Sequence, residues 1–381
     1  MTKHICHIIT RFLNGGAEEN TLLTCNYSAE IGDKVTLIIG SDYDKEILCK
    51  LDKRVKLIKV NTLLRDISLF KDFSTLFKLI KILKKINPDI VHTHESKAGI
   101  IGRLSARLIN IKLIIHTVHI LPFTNVNVFK AKFYIFLEKI VSNITHKFIC
   151  VSKGMMNESL KNGIGSKKKY LVIHSGFDLQ LFKKAKKNYI LINLKNYRIN
   201  PKKYFVLLMI GAFEERKRQI EFLYIFKKLL DKNPNLILIF VGSGKLLKEA
   251  KKISEQINVN KNVYFAGFRK NPENFISLAD ICIMNSIREG LPRVVPQYLA
   301  GGKPVISTNL PGISEIIKNN KNGFIVNMNK PNDLKKKIEL IINDKRIYKK
   351  MCNFVQKTDL SNWSHKSMPR KINDVYTRLL K

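Results

Sequence analysis

Short apolar runs alternate with longer stretches of helical periodicity along most of this chain. His4 to Thr10, Val35 to Ile39, Asp89 to His92, Leu113 to Thr117, Lys147 to Val151 and Leu171 to His174 read as strands. Glu18 to Ile31, Phe70 to Ile86, Lys97 to Leu108 and Phe129 to Val141 carry the helical pattern between them. Strands separated by helices imply parallel sheets joined by right-handed crossovers. The rhythm stops at residues 183–202, a basic, Asn-rich stretch ending near Pro201, which reads as a connection between domains. A second alternating set starts at Tyr204 to Ile210 and continues through a strand, a Gly242–Ser243–Gly244 turn and a helix over residues 236–252. The expected fold class is α/β, with two doubly wound Rossmann-like domains facing a central cleft. The first spans residues 1–185 and the second 200–360. Ligands of such sheets bind beyond the carboxyl ends of the strands.

Length and composition leave this picture intact. A chain of 381 residues is long enough for two separate cores. No Cys-x-x-Cys pair occurs among Cys6, Cys25, Cys49, Cys150, Cys282 and Cys352, so neither a zinc site nor a disulfide framework is expected. The apolar run at the start is short and closely followed by Arg11 and Asn14, unlike a signal peptide. No apolar stretch reaches the roughly 20 residues a bilayer span requires. The expected location is cytoplasmic or peripheral to a membrane.

Charge adds something new. The net charge of +38 creates a field that attracts polyanions, among them nucleic acid, anionic lipid and phosphate-bearing substrates. An abundance of Lys, Ile and Asn accounts for part of it through solvated helix faces. Residues 70–87 form a basic amphipathic pattern. Phe73, Leu76, Phe77, Ile80 and Leu83 lie at helical spacing, with Lys78, Lys81, Lys84 and Lys85 around them. The plainer expectation packs the apolar face on a sheet with the lysines outside; the alternative docks it on anionic lipid. Residues 123–136 carry a second aromatic and basic stretch with the same two readings. No nucleic-acid motif is present.

The segment REGLPRVVPQYLAGGKPVISTNLPG, residues 288–312, carries the most chemistry. Glu289 precedes Gly290, Leu291 and Pro292, and a helical run follows from about Arg293. A carboxylate there can accept hydrogen bonds from sugar hydroxyls, while free N–H groups of a helix start can hold phosphate. Glu289 and Gln297 are two turns apart and near one helix face. Elsewhere the Gly15–Gly16 loop permits close approach of backbone to a bound group. His92 and His94 point to one side of a strand end, but no third metal ligand is evident, and His92 reads best as a satisfied core histidine. Asp42–Tyr43–Asp44 has the form of a metal–diphosphate motif but sits in a polar turn, where solvated use is commoner.

With these residues in view, the chain resembles the family 4 retaining glycosyltransferases of the GT-B fold, from the Gly15–Gly16 loop to the Trp363 tail. The family signature has two glutamates seven residues apart; here Gln297 stands in the second place. The resemblance implies that a C-terminal segment, residues 361–381, crosses back to the first domain. It implies that Glu289 holds sugar hydroxyls, that Lys217 neutralises the donor diphosphate, and that His119 lies beside the donor sugar and acceptor. Donor-side contacts are implied for Gly15, Gly16, Arg216, Gly290, Leu291, Val294, Val295, Gln297, Phe268 and Arg269; His94 and Lys97 are acceptor-side candidates. An Arg often found at the position of Ala212 is missing. The implied reaction moves a sugar from a nucleoside diphosphate sugar, UDP by family habit, to a hydroxyl of a polyprenyl-linked glycan. It needs no metal or cofactor and takes place at the inner face of the plasma membrane, with no nucleic-acid partner. A nucleotide-sugar epimerase of the same fold and a non-catalytic polyanion or membrane-surface binder are the rival readings.

Overall fold

The computed structural model describes residues 2–185, 192–194, 197–199 and 203–380. Most of the expected connection, 183–202, therefore lies outside the described residues. Chain contacts divide the protein into one unit of Met1–Phe177 with Ser361–Lys381, and another of Asp178–Leu360.

The first unit is built on a parallel sheet of seven strands. They are β1 (His4–Ile9), β2 (Lys34–Ile39), β3 (Lys56–Lys59), β4 (Ile90–His94), β5 (Leu113–Val118), β6 (Lys147–Cys150) and β7 (Tyr170–Val172). Helices α1 (Gly16–Glu30), α2 (Lys45–Leu48), α3 (Leu69–Ile86), α4 (Ser96–Leu108), α5 (Val128–Asn143) and α6 (Lys153–Lys161) make the crossovers. The strand order is β3-β2-β1-β4-β5-β6-β7, so the winding reverses between β1 and β4. β1 is buried along its whole length, which is why HICHII reads as a nearly continuous apolar run.

Register decides which side chains share a face. His7 pairs with His92, and His94 with Thr117, so His7, His92, His94 and Thr117 point to one side of the sheet. Ile5, Ile90, Leu113 and Ile115 lie on that side and form one cluster with Met368, Ile372, Val375 and Tyr376. Those four belong to α14 (Ser367–Leu380), which also packs on α1. The C-terminal segment thus returns to the first sheet, as the resemblance implies. Gly176 explains how closely it approaches: a Cβ there would lie 2.9 Å from both His365 Cα and Ser364 O. The opposite face, through Cys6, Ile8, Val91 and Ile114, packs under α3 and α4.

The second unit has six parallel strands in the order β12-β11-β10-β13-β14-β15. They are β10 (Phe205–Ile210), β11 (Leu236–Val241), β12 (Val263–Phe265), β13 (Ile281–Met284), β14 (Val305–Thr308) and β15 (Gly323–Val326). Its winding reverses between β10 and β13. Two further strands, β8 (Ile192–Leu194) and β9 (Tyr197–Ile199), form a small antiparallel ladder within the stretch expected to be a connection. Helix α7 (Leu179–Lys184), expected to close the first domain, packs instead on α10 (Pro272–Leu278) and α11 (Val294–Ala300) of the second unit. Asp178 caps it by accepting a hydrogen bond from the Gln180 N–H.

One expectation changes and another holds on sight of the packing. In α3 the buried positions are Thr75, Leu79 and Leu83, while Phe70, Phe73 and Phe77 are exposed. Phe73 and Phe77 therefore lie outside the face that packs on the sheet. The Asp42–Tyr43–Asp44 turn is structural: Asp44 caps α2, and Tyr43 takes a hydrogen bond and a cation–π contact from Lys59.

Candidate functional site

In a doubly wound sheet the strand ends diverge where the winding reverses, leaving a crevice for ligands. In the second unit that place is flanked by the loop after β10, residues 211–218, and the loop after β13, residues 285–293. The two loops are tied together, since the Ile287 N–H donates to Arg216 O at 2.9 Å. Helix α11 is held there as well: the Ile210 N–H donates to the Tyr298 hydroxyl at 2.8 Å.

Three of the expected residues meet at this point. The Glu289 carboxylate accepts from Lys217 Nζ at 2.5 Å and from Arg216 Nη1 at 2.5 Å. Arg216 is also held by Glu214, at 2.7 Å, and by the carbonyl of Arg288. Lys217 runs along Gly211, whose hypothetical Cβ would lie 3.4 Å from its Cε, so the missing side chain leaves room for the lysine. Burial pushes the Glu289 carboxyl pKa up, but the Lys217 ammonium and the Arg216 guanidinium outweigh it, and the net shift is downward. Burial works against the charge of Arg216 too; Glu289 and Glu214 overcome it and raise its pKa. The cluster is thus two cations sharing one carboxylate, all largely withdrawn from solvent. Such an arrangement can exchange carboxylate contacts for phosphate oxygens without first desolvating its cations.

Other expected donor-side residues fare differently. Gly290 and Leu291 are buried beside Glu289, and Gln297 is half-buried on α11. The Val295 N–H already donates to Pro292 O at 3.1 Å, so it is not the open amide the resemblance implies. Phe268 and Arg269 are exposed after β12, an edge strand two places from the point of reversal. The Gly242–Ser243–Gly244 turn has a packing role. A Cβ on Gly242 would lie 2.1 Å from Gly211 O, and one on Gly244 would lie 2.6 Å from Phe213 O, so both glycines let β11's turn press on the lysine-bearing loop.

In the first unit the reversal lies between the Thr10–Gly15 loop and the end of β4. Glu95, between His94 and α4, has φ 60 and ψ 174, a region that strains any side-chain-bearing residue. Its carboxylate accepts from the N–H groups of Thr10 and Arg11, at 3.2 and 3.3 Å, and so joins the ends of β1 and β4. Burial raises its pKa against the pull of Arg11. Glu18 is buried on the first turn of α1, where burial and then Glu95 push its pKa up to about 7. A Cβ on Gly15 would meet the Glu18 carboxylate at 2.4 Å, so Gly15 makes room for it. Gly16 opens α1 itself.

Beside these carboxyls lies a set of imidazoles. His94 Nδ1 is 3.1 Å from His119 Nε2, and His94 Nε2 is 3.0 Å from His7 Nδ1. His92 is satisfied on both sides, by the Tyr376 hydroxyl at 2.5 Å and Thr117 at 2.6 Å, as expected of a core histidine. His7, His92 and His94 lie close enough for three ring nitrogens to surround an ion. Both nitrogens of His92 and both of His94 are nevertheless occupied by hydrogen bonds. Lys97 departs from its expected role: it pairs with Asp72 at 2.6 Å and donates to Asp66 O, fastening α4 to α3. Glu18, Glu95 and His7 went unread as site residues. His7 is hidden inside an apolar run, and only strand register brings it to His94.

Two doubly wound parallel-sheet units, each with polar groups gathered where its winding reverses, are the parts from which the GT-B fold of glycosyltransferases is built. The comparisons with known proteins agree. Residues 14–181 match the Glycosyltransferase Family 4 model, and residues 193–358 match Glycosyl transferases group 1. An Escherichia coli UDP-Gal:alpha-D-GlcNAc-diphosphoundecaprenol alpha-1,3-galactosyltransferase is 31% identical over 306 residues, covering 77% of this chain and 78% of that one. The Staphylococcus aureus capsular polysaccharide biosynthesis glycosyltransferase CapM is 26% identical over 330 residues, covering 83% and 84%. Among solved structures, Anabaena HepE in complex with UDP and glucose has a TM-score of 0.80 at 17% identity, covering 98% of this chain and 99% of that one. The chain belongs to the group 1/family 4 glycosyltransferases, and it is a glycosyltransferase with the GT-B fold.

Proposed function

We propose that this enzyme transfers a sugar, with retention, from a UDP-sugar to a hydroxyl of a polyprenyl-diphosphate-linked glycan in surface polysaccharide synthesis. The observation that carries the reading is the Lys217–Glu289–Arg216 cluster at the point of winding reversal in the second unit. Lys217 and Arg216 stabilise the departing diphosphate, a task that needs no metal when cations are already in place. Glu289, released from them, binds hydroxyls of the donor sugar. The bond from sugar C1 to the diphosphate oxygen breaks while a bond from C1 to the acceptor oxygen forms on the same face. The acceptor proton passes to the departing diphosphate. The relatives named for diphosphoundecaprenol-linked and capsular glycans support this choice of acceptor.

A lipid-linked acceptor requires access to a membrane surface. No helix among the described residues is long and apolar enough to cross one. Helix α5 instead exposes Phe129, Phe133, Phe136 and Ile140, and α3 exposes Phe70, Phe73 and Phe77. Both sets follow helical spacing, both are interleaved with lysines, and both helices pack on α4. Docking on anionic headgroups, with the phenylalanines entering the interface, accounts for these faces and for part of the +38 charge. Arg103 and Glu138, a buried pair at 2.8 Å, fix α5 to α4 so that its aromatic stripe faces outward.

The test is thermal stability with UDP, GDP, ADP and CMP, each with EDTA, followed by transfer assays. A ligand at a hundredfold excess over its Kd stabilises by about 2.7 kcal/mol. The expected result is a shift with UDP in EDTA that disappears in the Lys217→Ala/Glu289→Ala double variant, together with transfer of sugar to a polyprenyl-diphosphate glycan. A shift with another nucleotide alone would replace UDP; release of free sugar nucleotide isomers without acceptor would remove the transfer reading.

A further inference from the structure

The three imidazoles of His7, His94 and His119 form an unbroken hydrogen-bonded row running from inside the first sheet to the residue past the end of β5. The links are 3.0 and 3.1 Å, and neighbouring rings are near-parallel, with interplanar angles of 18° and 29°. His7 is 0% exposed and His94 2%. At the inner end, His7 Nε2 is buried and has no hydrogen-bond partner among the described residues. A neutral imidazole has one N–H and one bare nitrogen. A row of neutral rings therefore has only two proton orders, and they differ at its two ends.

Burial keeps His7 and His94 neutral. It lowers the His7 pKa to about 3, and it lowers His94 well below the ordinary value, with His92, His7, His119 and His116 adding to the shift. In one order, every Nε2 carries the proton, and His7 Nε2–H becomes a buried donor with nothing to meet. In the other, every Nδ1 carries it, and His7 Nε2 is a bare lone pair. Orphaned buried N–H groups are rarer than unfilled acceptor positions. The second order is the one the surroundings allow: His7 Nδ1–H donates to His94 Nε2, and His94 Nδ1–H donates to His119 Nε2.

From this geometry we infer that His7 and His94 are positioning residues that hold His119 as its Nδ1-protonated tautomer, a neutral N–H donor of fixed direction. The inference rests on the proposed reading in one respect, that His119 meets an oxygen of sugar or acceptor. A neutral donor suits a hydroxyl oxygen. Because the inner end of the row has no exchange partner, the row fixes a tautomer and conducts no proton.

Nitrogen-15 NMR of histidine-labelled full-length protein tests this directly, with the His119 signals assigned by their loss in His119→Asn. The expected spectrum shows His119 with a protonated Nδ1 and an unprotonated Nε2. The reverse assignment in the wild-type protein overturns the inference without any variant having to fold. His7→Phe removes the inner donor and should give His119 a mixture of tautomers, while kcat/KM falls roughly tenfold to a hundredfold, the scale of a misplaced site group. His7→Asn, whose amide reaches the Nδ1 position, should restore both. An unchanged tautomer in His7→Phe would overturn the proposal, as would Zn²⁺ binding stoichiometrically and shifting His7, His92 and His94 together, which would make the cluster a metal site. Absence of transfer with every UDP-sugar would defeat the functional reading and leave the tautomer result standing.

Discussion

The two sheets are wound alike, yet the groups at their points of reversal obey opposite electrostatic rules. In the second unit, Glu289, Lys217 and Arg216 are largely withdrawn from solvent in contact with one another, and despite burial the Glu289 pKa is lowered and the Arg216 pKa raised. In the first unit, His7, His92 and His94 are withdrawn as neutral rings, and Glu18 and Glu95 are pushed toward their protonated forms. Burial is common to both; in the first-named cluster the opposite charges outweigh it, whereas the pull of Arg11 on Glu18 and Glu95 does not. A charged centre can grip and release a diphosphate. A neutral centre can orient hydroxyls without holding the leaving group. Fold alone dictates neither outcome, because topology supplies the crevice and side chains choose its polarity.

The largest expected effect breaks the charged side of this comparison. Lys217→Ala should lower kcat by about 100- to 1000-fold, the cost of one lost group that stabilises developing charge. Glu289→Ala should lower turnover on a comparable scale and leave Lys217 and Arg216 without their shared carboxylate. Circular dichroism and thermal melts should show both variants folded. Wild-type rates in both would remove the cluster from the mechanism.

Glu18 probes the neutral side. Its pKa, raised from 4.5 to about 7, means that the folded protein holds a proton the unfolded chain has already lost. Its favourable share is fully present below pH 4.5 and disappears as pH rises through about 7. Glu18→Gln should therefore stabilise the protein at pH 8, by on the order of 3 kcal/mol, and leave it unchanged at pH 4. Equal urea midpoints for variant and wild type at pH 8 would show that Glu18 is not a penalised charge. Tyr376→Phe should act more weakly. It leaves His92 Nδ1 without its partner, at a cost of about 1–3 kcal/mol, read from the same denaturation curves.

Much of this was legible in the sequence, and the reasons are local. Strand–helix alternation announced both sheets because strands such as β1 and β11 are buried on both faces and read as apolar runs. Glu289, Lys217 and Arg216 were named through the family resemblance carried by residues 210–219 and 288–312. Their mutual contact was not, because it depends on two strands more than 60 residues apart in the chain becoming neighbours, as Leu207 and Ile281 do. β3 went unread because Lys56–Lys59 is only four residues long and carries a lysine at each end. α7 fell on the wrong side of the boundary because its packing partners, α10 and α11, lie far along the chain. The imidazole row was invisible for a related reason: His7 sits in a run whose only signal is burial.

The smallest expected effect on stability distinguishes the outer surfaces of the two units. Phe129 is 87% exposed and Phe133 47%, so neither contributes much to a core. Phe129→Ser/Phe133→Ser should leave the melting free energy within about 0.5 kcal/mol of wild type. Fully burying a large apolar side chain is worth about 1.5–3 kcal/mol, so loss of two inserted rings should nearly abolish binding to anionic phospholipid vesicles. Phe268→Ser, on the second unit and 47% exposed, is the matched control and should bind vesicles as wild type does. If the two variants lose binding equally, the loss is not specific to the α5 stripe. If neither does, the exposed phenylalanines have no part in docking. Loss confined to the α5 double variant, with transfer to a water-soluble acceptor preserved, would separate reaching the lipid-linked glycan from the chemistry performed on it.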